Sequence, residues 1–110
     1  MAFSVEKIQN QSIIRCKYEK LDTISGPELK SQFLFLSKNG DNNFVVDLSE
    51  VKYCDSSGLS ALLVGNRISK EHNGSLTLFG LQPAVDKIIT ISQLDKVLNI
   101  TLDQDTALNK

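Results

Sequence analysis

Apolar and polar residues alternate over Phe3-Ser4-Val5-Glu6-Lys7-Ile8, the period of a half-buried strand. The alternation returns over Ile13 to Tyr18. Ile14, Cys16 and Tyr18 fall on one face, and Ile13, Arg15 and Lys17 on the other. The polar break Gln9-Asn10-Gln11-Ser12 separates the two runs, which predicts a hairpin. The period then becomes helical. Ser25-Gly26-Pro27-Glu28 reads as a helix start, with Ser25 as cap and Pro27 in the first turn. Leu29, Phe33 and Leu36 recur at i, i+4 and i+7, and Leu34 and Phe35 widen that apolar face. Lys38 to Asn43 ends the helix, with Gly40 as the expected C-cap residue.

Phe44-Val45-Val46-Asp47-Leu48 is almost continuously apolar, as a covered central strand is. A short polar connection leads to Asp55-Ser56-Ser57-Gly58. Leu59, Leu62, Leu63 and Ile68 then mark a helix to about Asn73, whose other side carries Ser60, Arg67, Lys70 and Glu71. Asn73-Gly74 ends it. Ser75 to Phe79 is a further predicted strand. Pro83 opens another helix, with Val85, Ile88 and Ile89 on its apolar face. Asp95 to Ile100 reads as the last strand, and residues 103–110 as a short packed helix or a frayed tail. Strands alternating with helices predict βαβ units with parallel strands. The expected fold is α/β: a small mixed sheet of about five strands, an N-terminal hairpin followed by parallel βαβ units, and helices packed against it. No repeat or linker interrupts the 110 residues, so a single domain over 1–110 is expected.

Composition narrows the function. With 12 basic and 13 acidic residues the net charge is -1, and no basic cluster offers the footprint of a nucleic-acid binder. No apolar run approaches the roughly 18 residues of a membrane span, so no membrane insertion is expected. Met1 to Lys7 lacks the charged and apolar regions of a signal peptide, which points to the cytoplasm. Cys16 and Cys54 are expected to be buried and reduced. One histidine and no CxxC leave no expected metal site, and no cofactor is expected.

The Asp55-Ser56-Ser57-Gly58 turn is the candidate site. Its bland explanation is capping, because Asp and Ser accept from the orphan N–H groups of a first helical turn. Three such residues exceed what one cap requires. A nucleophilic serine would need a base, but His72 lies a full helix away and there is no G-x-S-x-G elbow. A metal-held phosphoacceptor Asp would need further carboxylates, and the strand end offers only Asp47. A phosphate-binding P-loop is absent. A phosphoacceptor serine remains, since a hydroxyl at a helix start is accessible and the free N–H groups there tolerate a dianion. Asp22 reads as a turn residue.

Val45-Val46-Asp47-Leu48, Asp55-Ser56-Ser57-Gly58-Leu59, Gly74 before a strand, Pro83-Ala84-Val85, and Leu94 before Val97-Leu98 together resemble a bacterial STAS domain. Within that group the chain resembles the stand-alone anti-sigma factor antagonists, with Leu21-Asp22 at the family's Leu-Asp before the first helix. The resemblance covers almost the whole chain. It implies a non-enzymatic switch with no catalytic residue. The implied partner is an anti-sigma factor that is also a serine kinase, whose sequestration frees a sigma factor. Ser56 is the implied phosphoacceptor, and a serine phosphatase reverses the modification. Asp22, Asp55, Ser56, Ser57 and Gly58 form the implied partner-binding surface. The alternative is a STAS subunit of a transporter or lipid-transport complex, docking without phosphorylation. Glu19, Ser60 and Gln93 stand where the family often has Gly.

Overall fold

The computed structural model describes residues 3–109. In chain order the elements are β1 (Phe3–Ile8), β2 (Gln11–Cys16), β3 (Lys20–Leu21), α1 (Ser25–Lys38), β4 (Asn43–Asp47), β5 (Tyr53–Cys54) and α2 (Ser56–Glu71). β6 (Ser75–Phe79), α3 (Pro83–Ile91), β7 (Asn99–Thr101) and α4 (Gln104–Leu108) complete the fold. The main sheet has five strands in the order β1-β2-β4-β6-β7. β1 and β2 are antiparallel, and every other pair in it is parallel. The mixed α/β sheet expected from the pattern is therefore present. A separate two-stranded parallel sheet, β3 with β5, was not anticipated.

The sheet is covered on both faces. Ile14, Val46 and Leu78 point into the large core with Leu29 and Phe33 of α1, Leu59 and Leu62 of α2, and Val85 and Ile89 of α3. Ile13, Val45 and Phe79 point the other way and pack with Ala107 of α4. Burial on both sides explains why β4 is continuously apolar. The C-terminal segment thus forms a packed helix. The Asp103 carboxylate accepts from the Thr106 N–H at 2.9 Å, and Gln11 Nε2 donates to the Leu108 carbonyl at 2.7 Å. α1 crosses α2 where Gly65 meets the Phe33 ring. A Cβ at Gly65 would stand 2.5 Å from that ring, so the contact requires glycine. Among the described residues, no helix is long and apolar enough to cross a membrane.

Several local expectations are corrected. The hairpin turn is only Gln9-Asn10, with φ of 51° and 68°, so Gln11 and Ser12 belong to β2. Positive φ at both central residues matches the right-handed twist of the strands. Leu34 and Phe35 do not extend the apolar face of α1; they are 57% and 65% exposed. Ser25 does not cap α1. It is the first helical residue; Ile24 holds the N-cap position without a side-chain cap, and the Asp22 carboxylate accepts from the Ile24 and Ser25 N–H groups as the chain enters the helix. The last strand is shorter and later than expected, because Leu94–Lys96 forms a 3₁₀ turn that delays it to Asn99. Gln93 begins that turn with φ 60° and ψ 20°. The left-handed region costs a non-glycine residue about 1 kcal/mol. Gln93→Gly is expected to raise the unfolding free energy by about 1 kcal/mol, read as a higher urea midpoint at unchanged m-value. No change in midpoint would show that the turn carries no such cost.

Candidate functional site

Two chain reversals meet at one edge of the molecule because β3 and β5 pair in register. Lys20 lies opposite Tyr53, and Leu21 opposite Cys54. The next residues, Asp22 and Asp55, are thereby carried to the same edge. Backbone bonds tie the reversals together. The Asp55 N–H donates to the Leu21 carbonyl at 3.1 Å, and the N–H groups of Lys52 and Tyr53 donate to the Glu19 carbonyl at 2.7 and 3.1 Å. Glu19 thus contributes its carbonyl oxygen to the joint, whatever its side chain.

Asp55 is the N-cap of α2. Its backbone is extended, with φ −103° and ψ −170°. Its Oδ1 accepts from the Ser57 N–H at 2.8 Å and the Gly58 N–H at 3.1 Å. These two bonds satisfy donors that a helix start leaves orphaned. Gly58 is buried at the tightest point of the joint. A Cβ there would lie 2.3 Å from the Leu21 carbonyl oxygen and 2.7 Å from Cys54 Sγ, so no larger side chain fits. Ser57 is half-buried, and its N–H is committed to Asp55. Ser56 is the first helical residue and is exposed. Its hydroxyl makes no hydrogen bond to another described residue. The cap is complete without it.

Asp22 precedes the N-cap of α1, Ile24, by two residues and holds the entry to that helix. Its Oδ1 accepts from the N–H groups of Ile24 at 3.0 Å and Ser25 at 3.2 Å. Ser25 is buried, with its hydroxyl donating to the Lys20 carbonyl at 2.7 Å and accepting from the Asp22 N–H at 2.9 Å. The Ile24 and Ser25 N–H bonds, in that order, hold the Asp22 carboxyl below its ordinary value of 3.8. A depressed folded value means that the unfolded chain takes up this proton first on acidification. The stabilisation is complete above pH 3.8 and is lost as pH falls through the folded value.

Lys20, Leu21, Asp22, Tyr53, Cys54 and Asp55 line an open groove of about 520 Å³ between the two reversals. Burial, with a smaller contribution from Asp55, pushes Cys54 up to about 12, so it stays protonated. Cys16 is likewise buried and free. His72 stands at the C-cap of α2, roughly 24 Å from Ser56 by helical rise. Its Nδ1 lies 2.9 Å from the Ile68 carbonyl. Asp47 is occupied elsewhere, paired with Arg15 at 3.1 Å and accepting from the Ser49 N–H at 2.9 Å. Of the residues singled out in the sequence, Asp22, Asp55, Ser56, Ser57 and Gly58 come together, and His72 and Asp47 do not join them. Sequence reasoning missed the Leu21 carbonyl and the exposed Ile24 and Tyr53. Two-residue strands have no detectable period, so nothing in the pattern marked them.

The chain matches the family model described as "Mlab, STAS domain" over residues 19–102, and it belongs to the STAS family. Among curated proteins it is similar to the anti-sigma-B factor antagonist of Bacillus subtilis (strain 168). The two are 26% identical over 102 residues, covering 92% of this chain and 93% of that protein. Solved structures share the fold. An anti-sigma factor antagonist from Mycobacterium paratuberculosis has a TM-score of 0.86 at 23% identity, covering 97% of this chain and 90% of that one. The Bacillus cell fate determinant SpoIIAA in its phosphorylated form has a TM-score of 0.75 at 19% identity, covering 98% and 97%.

Asp55→Ala is expected to lower the unfolding free energy by about 1 kcal/mol, while Asp55→Asn, which keeps the accepting oxygen, recovers most of it. Equal losses in both variants would contradict the capping role. Acid unfolding measured below pH 3.8 should be less steep in Asp22→Asn than in the wild type, because the depressed carboxyl has gone.

Proposed function

We propose that the chain is an anti-sigma factor antagonist, a protein-binding switch controlled by phosphorylation of Ser56. One observation carries the reading. Ser56 presents an exposed hydroxyl at the first position of α2, while Asp55 supplies the cap, so the hydroxyl is surplus to the fold. The kinship with the Bacillus subtilis antagonist supports the general role. In the unmodified state the turn and the outer side of α2 dock on an anti-sigma factor that is also a serine kinase, in the cytoplasm. This sequesters the anti-sigma factor and releases a sigma factor. The chain itself is no enzyme; the partner supplies ATP chemistry, and a serine phosphatase restores the hydroxyl.

The switch follows from electrostatics. A phosphate on Ser56 adds about -1.5 to -2 charges beside Asp55 and near Asp22. In the isolated domain that charge stays in solvent at the positive end of the α2 dipole. In the complex it would have to be desolvated, and an unpaired buried charge costs several kcal/mol. Phosphorylation therefore releases the partner without unfolding the domain.

Incubation with the cognate kinase and ATP is expected to add one phosphate, read by intact mass, and Ser56→Ala to abolish it. Phosphate retained in Ser56→Ala would sink the assignment. Ser56→Asp is expected to weaken partner binding at least tenfold with an unchanged circular dichroism spectrum. If the chain instead co-purifies with a transport ATPase and carries no phosphate in cells, it is a STAS subunit of a transporter or lipid-transport complex.

A further inference from the structure

Two large apolar side chains at the site are left in solvent. Ile24 is 73% exposed and Tyr53 is 60% exposed. Ile24 follows Asp22 by two residues, and its N–H is held by the Asp22 carboxylate. Tyr53 lines the groove with Asp22 and Asp55. The two therefore flank the turn that carries Ser56, one on each chain reversal. Exposed apolar residues scattered singly need no explanation. Ile24 and Tyr53 are not scattered: Asp22 holds the Ile24 N–H and lines the same groove as Tyr53 and Asp55.

Those carboxylates supply a second observation. Asp22 and Asp55 each turn Oδ1 inward to backbone N–H groups. Their Oδ2 atoms make no hydrogen bond to any described residue. The site thus combines an exposed aromatic ring and an exposed branched aliphatic side chain with two carboxylate oxygens that have no hydrogen-bond partner among the described residues. An aromatic anchor framed by charged groups is the composition of an interface centre. We infer that Ile24 and Tyr53 are the apolar anchors that select the partner kinase, and that basic side chains of that kinase pair with the free oxygens of Asp22 and Asp55. The inference rests on the proposed switching role and adds the specificity residues to it. It also locates the effect of phosphate: a dianion on Ser56 keeps water in a contact whose centre is apolar.

The test uses the purified full-length anti-sigma factor kinase. Ile24→Ala and Tyr53→Ala are each expected to weaken binding about tenfold, the loss typical of an interface anchor. Phe35→Ala, at an equally exposed apolar residue on the outer face of α1, is expected to leave binding unchanged. Phosphorylation of the two anchor variants should show a raised KM with kcat within about twofold. Affinities equal to wild type in correctly folded variants would overturn the inference. A readout free of substitutions is available because the chain has two tyrosines and no tryptophan. With fluorotyrosine incorporated, the kinase should shift the ¹⁹F resonance of Tyr53 and leave that of Tyr18 in place. An unmoved Tyr53 resonance, with Ser56 still phosphorylated, refutes the anchors and spares the switch. A wild-type chain that neither binds nor is phosphorylated removes both. A Tyr53-dependent dimer of the isolated chain would assign the patch to a second copy and overturn the kinase contact.

Discussion

The start of α2 depends on one close approach. The Leu21 carbonyl accepts the Asp55 N–H and lies against Gly58, where a Cβ would come within 2.3 Å. This contact fixes the helix relative to the neighbouring reversal. The Asp55 carboxylate then closes the first turn through Ser57 and Gly58. Because those two N–H groups are taken inward, the one residue left over, Ser56, faces solvent. A rigid scaffold below a free hydroxyl is what a reversible modification site needs, since the modification must change the surface and not the fold.

The same joint brings two distant segments to one edge of the molecule. Asp22 and Asp55 are separated by α1, β4 and β5 in sequence, yet each follows a strand of the β3–β5 pair. Each carboxylate spends one oxygen on its own helix and leaves the other outward. The capping role and a recognition role are therefore compatible in a single side chain. Asp55 caps α2, and the Ser56 hydroxyl is left without a hydrogen bond among the described residues.

Much of this was legible in the pattern of residues. The hairpin, the central strand and the three long helices follow from period alone, since their burial is one-sided or complete over many residues. The Asp-Ser-Ser-Gly turn was visible as a helix start, but spacing could not separate Ser56 from Ser57. In the structure Ser56 is exposed at the first helical position and Ser57 is half-buried. What stayed hidden has a common cause. β3 and β5 are two residues each, and a two-residue strand has no period. Leu34 and Phe35 look like core by composition, yet their helical phase turns them outward. The delayed last strand depends on a left-handed residue, Gln93, of a type that does not advertise that conformation.

The central claim is that phosphate on Ser56 changes a surface and leaves the domain intact. Backbone amide shifts of the unmodified and Ser56-phosphorylated protein, compared by two-dimensional NMR, test it most directly. The shifts are expected to be confined to the two reversals, around residues 20–26 and 53–59, with β4 and β6 unmoved. Changes spread through β4, β6 and the core face of α1 would contradict a local switch and require a rearranged fold.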